Sequence, residues 1–201
     1  QSVAALQQRT APRGSGAGEF AAVMAEARYQ GVPVAAHAES AESVRAAAFH
    51  GAQTIEHGIY ITDESLELMV ANGVTLSPTL SMYRAFAVRG ASMGIPTVIV
   101  EEHKRTHERH ADSVRRAFEA GVPIVAGGDA GLTHFPQGSC AEEAVSYVDI
   151  IGMTPRQALS TLTVNIARLL GVIDQVGTLD VGKRADLLAM RVDPLTDPAV
   201  L

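Results

Sequence analysis

The sequence predicts an α/β protein with a parallel sheet, and three observations support this. An amphipathic helical pattern ends at a glycine, a short apolar strand follows, and the strand ends in a polar residue. This unit occurs four times, and such alternation is typical of parallel strands joined by crossover helices. The polar residues all follow strands and would gather over one face, which favours a (β/α)8 (TIM) barrel over an open sheet.

The first two units lead to histidines. In the first unit the helix ends at Gly31 and the strand leads to His37. In the second unit Ser40 is a candidate N-cap, Gly51 ends the helix, and the strand leads to His57. The predicted apolar face of the first helix comprises Phe20, Val23, Met24 and Ala27.

The third and fourth units lead to Thr79 and Asp129. Thr62 or Asp63 caps the third helix, Gly73 ends it, and a strand leads to Thr79. A long helix over about 97–120 and a strand over 122–126 precede Asp129. His37, His57 and Thr79 each lie six positions after the glycine that ends their helix, which is an equivalent place in each unit.

The chain after Asp129 has a different pattern. Ser139 and Glu142 form a candidate capping box for a helix through Ile151. Thr154 and the following proline open another helix, which runs to a glycine at 171. Residues 176–190 predict a turn and a short strand, and residues 1–18 predict a flexible linker.

Composition excludes several classes of partner. The net charge of -6 and the aromatic content of 4%, without tryptophan, disfavour nucleic acid. No apolar run reaches the roughly 20 residues that span a bilayer, and no secretory signal is visible. The single cysteine, Cys140, excludes an internal disulfide, so we expect a structural thiol in a reducing compartment such as the cytoplasm. The composition is compatible with a homo-oligomer.

Two imidazoles and a carboxylate at strand ends predict a metal site. Histidine nitrogen and carboxylate oxygen suit a divalent ion such as zinc, manganese or iron. A metal at His37, His57 and Asp129 would lower the pKa of a water molecule from about 15.7 to about 7, and Asp129 could accept the proton. Each residue alone has an ordinary structural interpretation, a core histidine or a turn aspartate, but their equivalent placement favours the metal.

Other polar residues could contribute to the site or to the protein surface. Tyr83 and His134 are expected in loops over the site, where they could bind a substrate carboxylate or carbonyl. His103, His107 and His110 form a helical stripe among charged residues, which predicts a solvated face.

The motifs "VPVAAHAES", "AQTIEHG", "IVAGGDAG" and "GTLDVGKRADLLAM" together resemble the amidohydrolase superfamily, nearest its imidazolonepropionase-like and Xaa-Pro dipeptidase-like members. The resemblance covers the chain from about residue 19. It implies that His37 and His57 are the metal ligands of barrel strands five and six. Asp129 would be the ligand and general base of strand eight, around one or two ions, zinc first. Residues 19–172 would form the C-terminal half of the barrel, and 173–201 a return strand to a small β-sandwich domain and a tail.

The chain departs from the family pattern in two respects. It has no His-x-His pair, which the family carries on strand one, and no lysine before Lys104, where strand four would supply a carboxylated lysine. We therefore expect a metal-dependent amidohydrolase that cleaves a dipeptide-like or cyclic amide, with this segment inactive alone. Two alternatives stay open: a non-catalytic remnant or binding module, and a hydrolytic deaminase. Glu39 follows His37 by two positions rather than the three of cytosine-deaminase-like relatives, which disfavours deamination.

Overall fold

Three short parallel strands form the sheet, in the order β1-β2-β3. The computed structural model describes residues 17–131 and 135–201. The strands are β1 (Ala35–Ala38), β2 (Thr54–His57) and β3 (Thr75–Ser77). The fourth predicted strand lies beside β3, where Ile124 forms an isolated parallel bridge with Leu76. The four strand segments therefore follow one another across the sheet in chain order, as successive crossover units require.

Helices connect and cover the strands. α2 (Ala41–His50) joins β1 to β2, α3 (Asp63–Asn72) joins β2 to β3, and the two helices pack together. Ser40 and Thr62 cap them as predicted, because each side-chain oxygen accepts a hydrogen bond from a first-turn amide. The helices are α1 (Ala17–Gln30), α2 (Ala41–His50), α3 (Asp63–Asn72), α4 (Leu80–Arg89), α5 (Thr97–Glu119), α6 (Glu142–Ile151), α7 (Pro155–Leu162) and α8 (Val164–Leu169).

The two faces of the sheet differ in polarity because side chains alternate along each strand. One face belongs to the hydrophobic core, together with buried residues of α2, α3, α5, α6 and α7. Its central row is formed by Ala36, Ile55, Leu76 and Ile124. The opposite face carries a polar row of His37, Glu56 and Ser77. The apolar row packs against the helices, and the polar row lies on the other face of the sheet.

Several features differ from the sequence-based expectation. Tyr83 lies in a helix, α4, and not in a loop. α6 follows a short 3-10 turn at Ser139–Ala141 without any side-chain cap hydrogen bond, so the predicted capping box is wrong. The helix that begins after Thr154 breaks at Thr163 into α7 and α8. Val23, placed on the inward face of α1, is 56% exposed.

The segment 176–190 contains the predicted turn but forms no strand in the structure. Its apolar side chains at 179, 181, 187 and 188 are between 66% and 107% exposed. A strand needs a neighbouring strand for its backbone hydrogen bonds, and the described residues supply none there. The linker predicted for 1–18 lies outside the described residues except for its last two positions, which begin α1. None of the described helices is both long and apolar enough to cross a bilayer.

Candidate active site

His37 and His57 meet at the ends of adjacent strands. Their ring centroids lie 4.6 Å apart with the ring planes at 77°. Strict alternation would separate them, because Ala38, and not His37, is the register partner of His57, and Ile55 of the same strand faces the core. His57 adopts a left-handed backbone conformation with φ 72°, which breaks the alternation and lets the ring meet that of His37.

Left-handed backbone conformations mark the strand ends more generally. Among the described residues other than glycine, positive φ values occur at His57 (72°), Thr79 (53°) and Asp129 (45°). Each follows or ends a different strand segment. Such a conformation costs on the order of 1–3 kcal/mol and persists only where the surroundings enforce it, often at functional sites. The three positions are also three of the four polar residues that the repeating sequence unit singled out.

Two hydrogen bonds hold His57 in this conformation. Its Nδ1 lies 2.7 Å from Thr79 Oγ1, and its carbonyl oxygen lies 2.9 Å from His110 Nε2. Burial, followed by the nearby His37, lowers the pKa of His57 below its ordinary value of 6.5. In the neutral tautomer whose Nδ1 donates to Thr79, the Nε2 lone pair is available to a metal.

The carboxylate of Glu39 lies beside the two histidines. The ligand atoms of His37, Glu39 and His57 all lie within 4.8 Å of one another. Tyr83 donates its hydroxyl hydrogen to Glu39 Oε1 at 2.6 Å. Burial, followed by the charge of Glu39, raises the pKa of Tyr83 above its ordinary value of 10, so Tyr83 stays protonated and remains a donor. The spacing of Glu39 from His37 predicts this meeting, because residues two apart in an extended segment share a face, but in the sequence Glu39 bore only on deamination.

Asp129 lies outside this close group, and its charge affects His57. Its carboxylate is not among the ligand atoms within 4.8 Å, yet its negative charge works to raise the pKa of His57. The chain before Asp129 passes tightly behind the site. A Cβ atom at Gly127 would clash with Ser77 Oγ, and one at Gly128 would come within 3.1 Å of the Cys140 backbone. The two glycines therefore allow the close approach that brings Asp129 to this end of the sheet.

The long helix α5 supports the site, and the expectation of a solvated histidine face is wrong. His103 is 4% exposed and His110 is fully buried. His110 packs against the Tyr83 ring at 4.8 Å, and burial lowers its pKa to about 3, so it is neutral. The signal for its burial was present, since His110 shares a helical face with Val114 and Ala117.

The same helix holds the loop that follows His57. Ser113 Oγ donates to the Ile59 carbonyl at 2.7 Å and accepts from the Ile61 amide at 3.2 Å. One turn further, Arg116 Nη1 donates to the Ile61 carbonyl at 2.9 Å. Successive turns of α5 therefore fix the backbone on the C-terminal side of His57.

The residues at this end of the sheet fit a divalent metal. Two imidazoles and a carboxylate form a donor set that zinc, manganese and iron accept. His134, expected to bind substrate, lies outside the described residues. Cys140 is half-buried in the short 3-10 turn, and burial raises its pKa above the ordinary 9.0, as expected of a structural thiol.

Known proteins share the sequence and fold of this chain. The sequence model of the amidohydrolase family matches residues 6–201. The chain belongs to the amidohydrolase family. An uncharacterised protein of Mycobacterium tuberculosis is 35% identical to this amidohydrolase chain over 175 residues, which are 87% of this chain and 46% of that protein. An imidazolonepropionase of Shewanella oneidensis is 28% identical over 167 residues, 82% of this chain and 36% of the enzyme.

Solved structures extend the similarity to the fold. A Xaa-Pro dipeptidase crystallised with bound methionine matches with a TM-score of 0.80 and 32% identity, over 92% of this chain and 45% of that one. The ochratoxinase of Aspergillus niger matches with a TM-score of 0.79 and 28% identity, over 92% and 42%. The amidohydrolase chain thus has an amidohydrolase-type α/β fold, and its resemblance to dipeptidase-like and imidazolonepropionase-like members is confirmed. It spans less than half the length of each of these relatives.

Proposed function

We propose that the protein is a metal-dependent hydrolase of C–N bonds that acts on a dipeptide-like or cyclic amide. The observation that carries the proposal is the meeting of His37 and His57 at adjacent strand ends, with ring centroids 4.6 Å apart and the carboxylate of Glu39 beside them. Family membership supports hydrolysis, and the similar dipeptidase and ochratoxinase structures support an amide or peptide substrate.

The proposal includes a place for this chain in a larger barrel. The strands β1, β2 and β3 and the segment 122–126 would be strands five to eight, within a half-barrel domain of residues 19–172. Residues 173–201 would be a return strand to a small β domain and a tail. The consecutive parallel order supports this assignment. An upstream half would supply the remaining strands and ligands, so the segment alone would be inactive.

Each site residue has a proposed role. His37, His57 and Asp129 would hold the cation, which would polarise the amide carbonyl and lower the pKa of a water molecule to about 7. The Asp129 carboxylate would accept a proton from the attacking water and return it to the leaving amine. Tyr83 and His134 would contact the substrate, and the Tyr83 ring already lies 6.0 Å from the ring of His57.

The test uses the complete gene product. Metal analysis should find a divalent ion, and hydrolysis of Xaa-Pro dipeptides and cyclic amides should be measured for the wild type, Asp129→Asn and Asp112→Asn. Asp112 is an exposed aspartate on α5 and serves as the matched control. Loss of a general base lowers the rate by about 10²–10⁴-fold, and we expect this for Asp129→Asn only.

Other outcomes would select the alternatives. Release of ammonia without cleavage of the peptide or cyclic amide bond of the substrate would indicate a hydrolytic deaminase. Absence of bound metal, together with unchanged activity in Asp129→Asn, would contradict the proposal. A metal-free protein without hydrolytic activity would be a binding module or remnant.

A further inference from the structure

We propose that Glu39 is a direct ligand of the cation, so that two neighbouring strands supply a His-Glu-His group to the site in addition to Asp129. This inference rests on the proposed function and adds a ligand to it. Neither the family resemblance nor the sequence spacing assigned a role to Glu39. Four features of the structure support a role now. Glu39 and His37 lie on the same side of the chain, and the ligand atoms of the three residues are close together. No ion pair joins Glu39 to either histidine, and the Tyr83 hydroxyl orients the Glu39 carboxylate.

Glu39 directly follows β1 and is two positions after His37, and in an extended segment this spacing places both side chains on the same side of the chain. The ligand atoms of His37, Glu39 and His57 lie within 4.8 Å of one another. Metal–nitrogen and metal–oxygen bonds of about 2.1 Å place tetrahedral ligand atoms roughly 3.4 Å apart. Small side-chain rotations would bring the three atoms onto one ion without a change in the backbone.

The three groups converge without binding one another. Within the described part of the chain, no ion pair of 4.0 Å or less joins Glu39 to either histidine. The carboxylate and the two imidazoles are therefore not engaged with one another as ion pairs, and a cation placed among them could be shared by all three.

Tyr83 fixes the orientation of the Glu39 carboxylate. Its hydroxyl donates to Oε1 at 2.6 Å, which leaves Oε2 for a cation. Metal-binding carboxylates are commonly held by such a hydrogen bond, and its loss typically costs about 10- to 100-fold in metal affinity. Tyr83 is itself 4% exposed and packed on His110, so its hydroxyl is held in place from the interior.

The experiment measures metal affinity without substrate. The metal-depleted complete gene product is titrated with Co²⁺, read by its visible absorption, and with Zn²⁺ against a chelator of known affinity. Glu39→Gln keeps the size of the side chain and an oxygen for Tyr83 but removes the charge. Tyr83→Phe removes only the hydroxyl. Glu42→Gln, an exposed first-turn residue of α2, removes the same charge three residues away.

We expect Glu39→Gln to lower the affinity at least about 100-fold and to change the cobalt spectrum, and Tyr83→Phe to lower it about 10- to 100-fold. Glu42→Gln should match the wild type. If Glu39→Gln binds metal as tightly as the wild type with an unchanged spectrum, Glu39 is not a ligand, and a raised KM for amino-bearing substrates would then assign it to the substrate.

These outcomes separate the two proposals. Metal binding and hydrolysis by the wild type, with no effect of Glu39→Gln on affinity, overturn only the ligand inference. A wild-type protein that binds no metal overturns both. If Glu39→Gln fails to fold by circular dichroism, Tyr83→Phe decides, since an unchanged metal affinity in that folded variant contradicts the arrangement.

Discussion

The backbone conformation of His57 determines where its imidazole lies. Its left-handed conformation, φ 72°, would cost on the order of 1–3 kcal/mol, and the gain is an imidazole that faces His37 instead of the core. The two hydrogen bonds to Thr79 and His110 offset this cost. The arrangement therefore depends on residues that would bind no metal themselves.

Thr79 provides a test of this dependence. Thr79→Val keeps the β-branched shape but removes the oxygen that lies 2.7 Å from His57 Nδ1. We expect a loss of about 10- to 100-fold in metal affinity, because the imidazole is no longer oriented, and about 0.5–1.5 kcal/mol in the free energy of unfolding. Cobalt titration and urea unfolding measure the two effects.

Thr79→Ser is the matched control, since it keeps the hydroxyl group. Its metal affinity should stay close to that of the wild type. Equal affinities for the valine and serine variants would show that the hydrogen bond to Nδ1 does not orient His57.

The sequence predicted which residues lie at the site, but it did not predict the backbone conformation that brings them together. The six-residue offset from each helix-ending glycine identified His37, His57 and Thr79. Alternation along β2, however, would have placed His57 on the core face, and only the backbone at that position reverses it. Such a conformation depends on tertiary hydrogen bonds, one of them from His110 more than 50 residues away, and these bonds have no local sequence signal.

At the scale of elements, helix α6 positions the start of α4. The fully buried Glu143 of α6 accepts hydrogen bonds from the amides of Leu80, at 3.1 Å, and Ser81, at 2.6 Å. These amides belong to the first turn of α4, where backbone donors lack helical partners. Thr79 directly precedes this turn, so a carboxylate from another helix fixes the segment that supports His57.

Glu143→Gln is expected to destabilise the protein by about 1–3 kcal/mol, because the amide side chain has one acceptor oxygen for two backbone donors. The effect should depend on pH. Burial raises the pKa of Glu143 above its ordinary 4.5 despite the lowering effect of its hydrogen bonds. The native state then holds the proton more tightly than the unfolded state, and the contribution of this group to stability falls as pH rises from about 4.5 through the raised pKa.

The destabilisation by Glu143→Gln should therefore be largest at acid pH and shrink as pH rises. Urea unfolding of both proteins at several pH values measures the difference. Glu142→Gln, which removes a half-exposed partner of Arg89 at 3.3 Å, is the control and should cost less than about 1 kcal/mol. A difference for Glu143→Gln that grows with pH would contradict the sign of the pKa shift.

At the scale of the whole molecule, the sequence predicted helices and strand order correctly, but the strand expected in 176–190 is wrong. Glycines, caps and apolar periods are local signals, and they located α2, α3, α5 and the parallel order correctly. A strand in 176–190 depends on a neighbour to pair with, and the described chain contains none for it. The exposed apolar side chains of this segment, such as Val181 at 107%, follow from the same lack of a partner.

Metal removal tests the site through the stability of the whole protein. A cation that binds only the folded state adds about 2.7 kcal/mol to the free energy of unfolding at a free concentration of 100 times its Kd. We expect this increment, measured by urea unfolding with buffered Zn²⁺ and with chelator, for the wild-type gene product. His57→Ala should abolish it, because the removed imidazole is 6% exposed within the ligand group. His50→Ala, at the end of α2 and away from that group, should retain it. An increment that survives in His57→Ala would mean that zinc stabilises the fold from another location, and the strand-end site would then lose its main support.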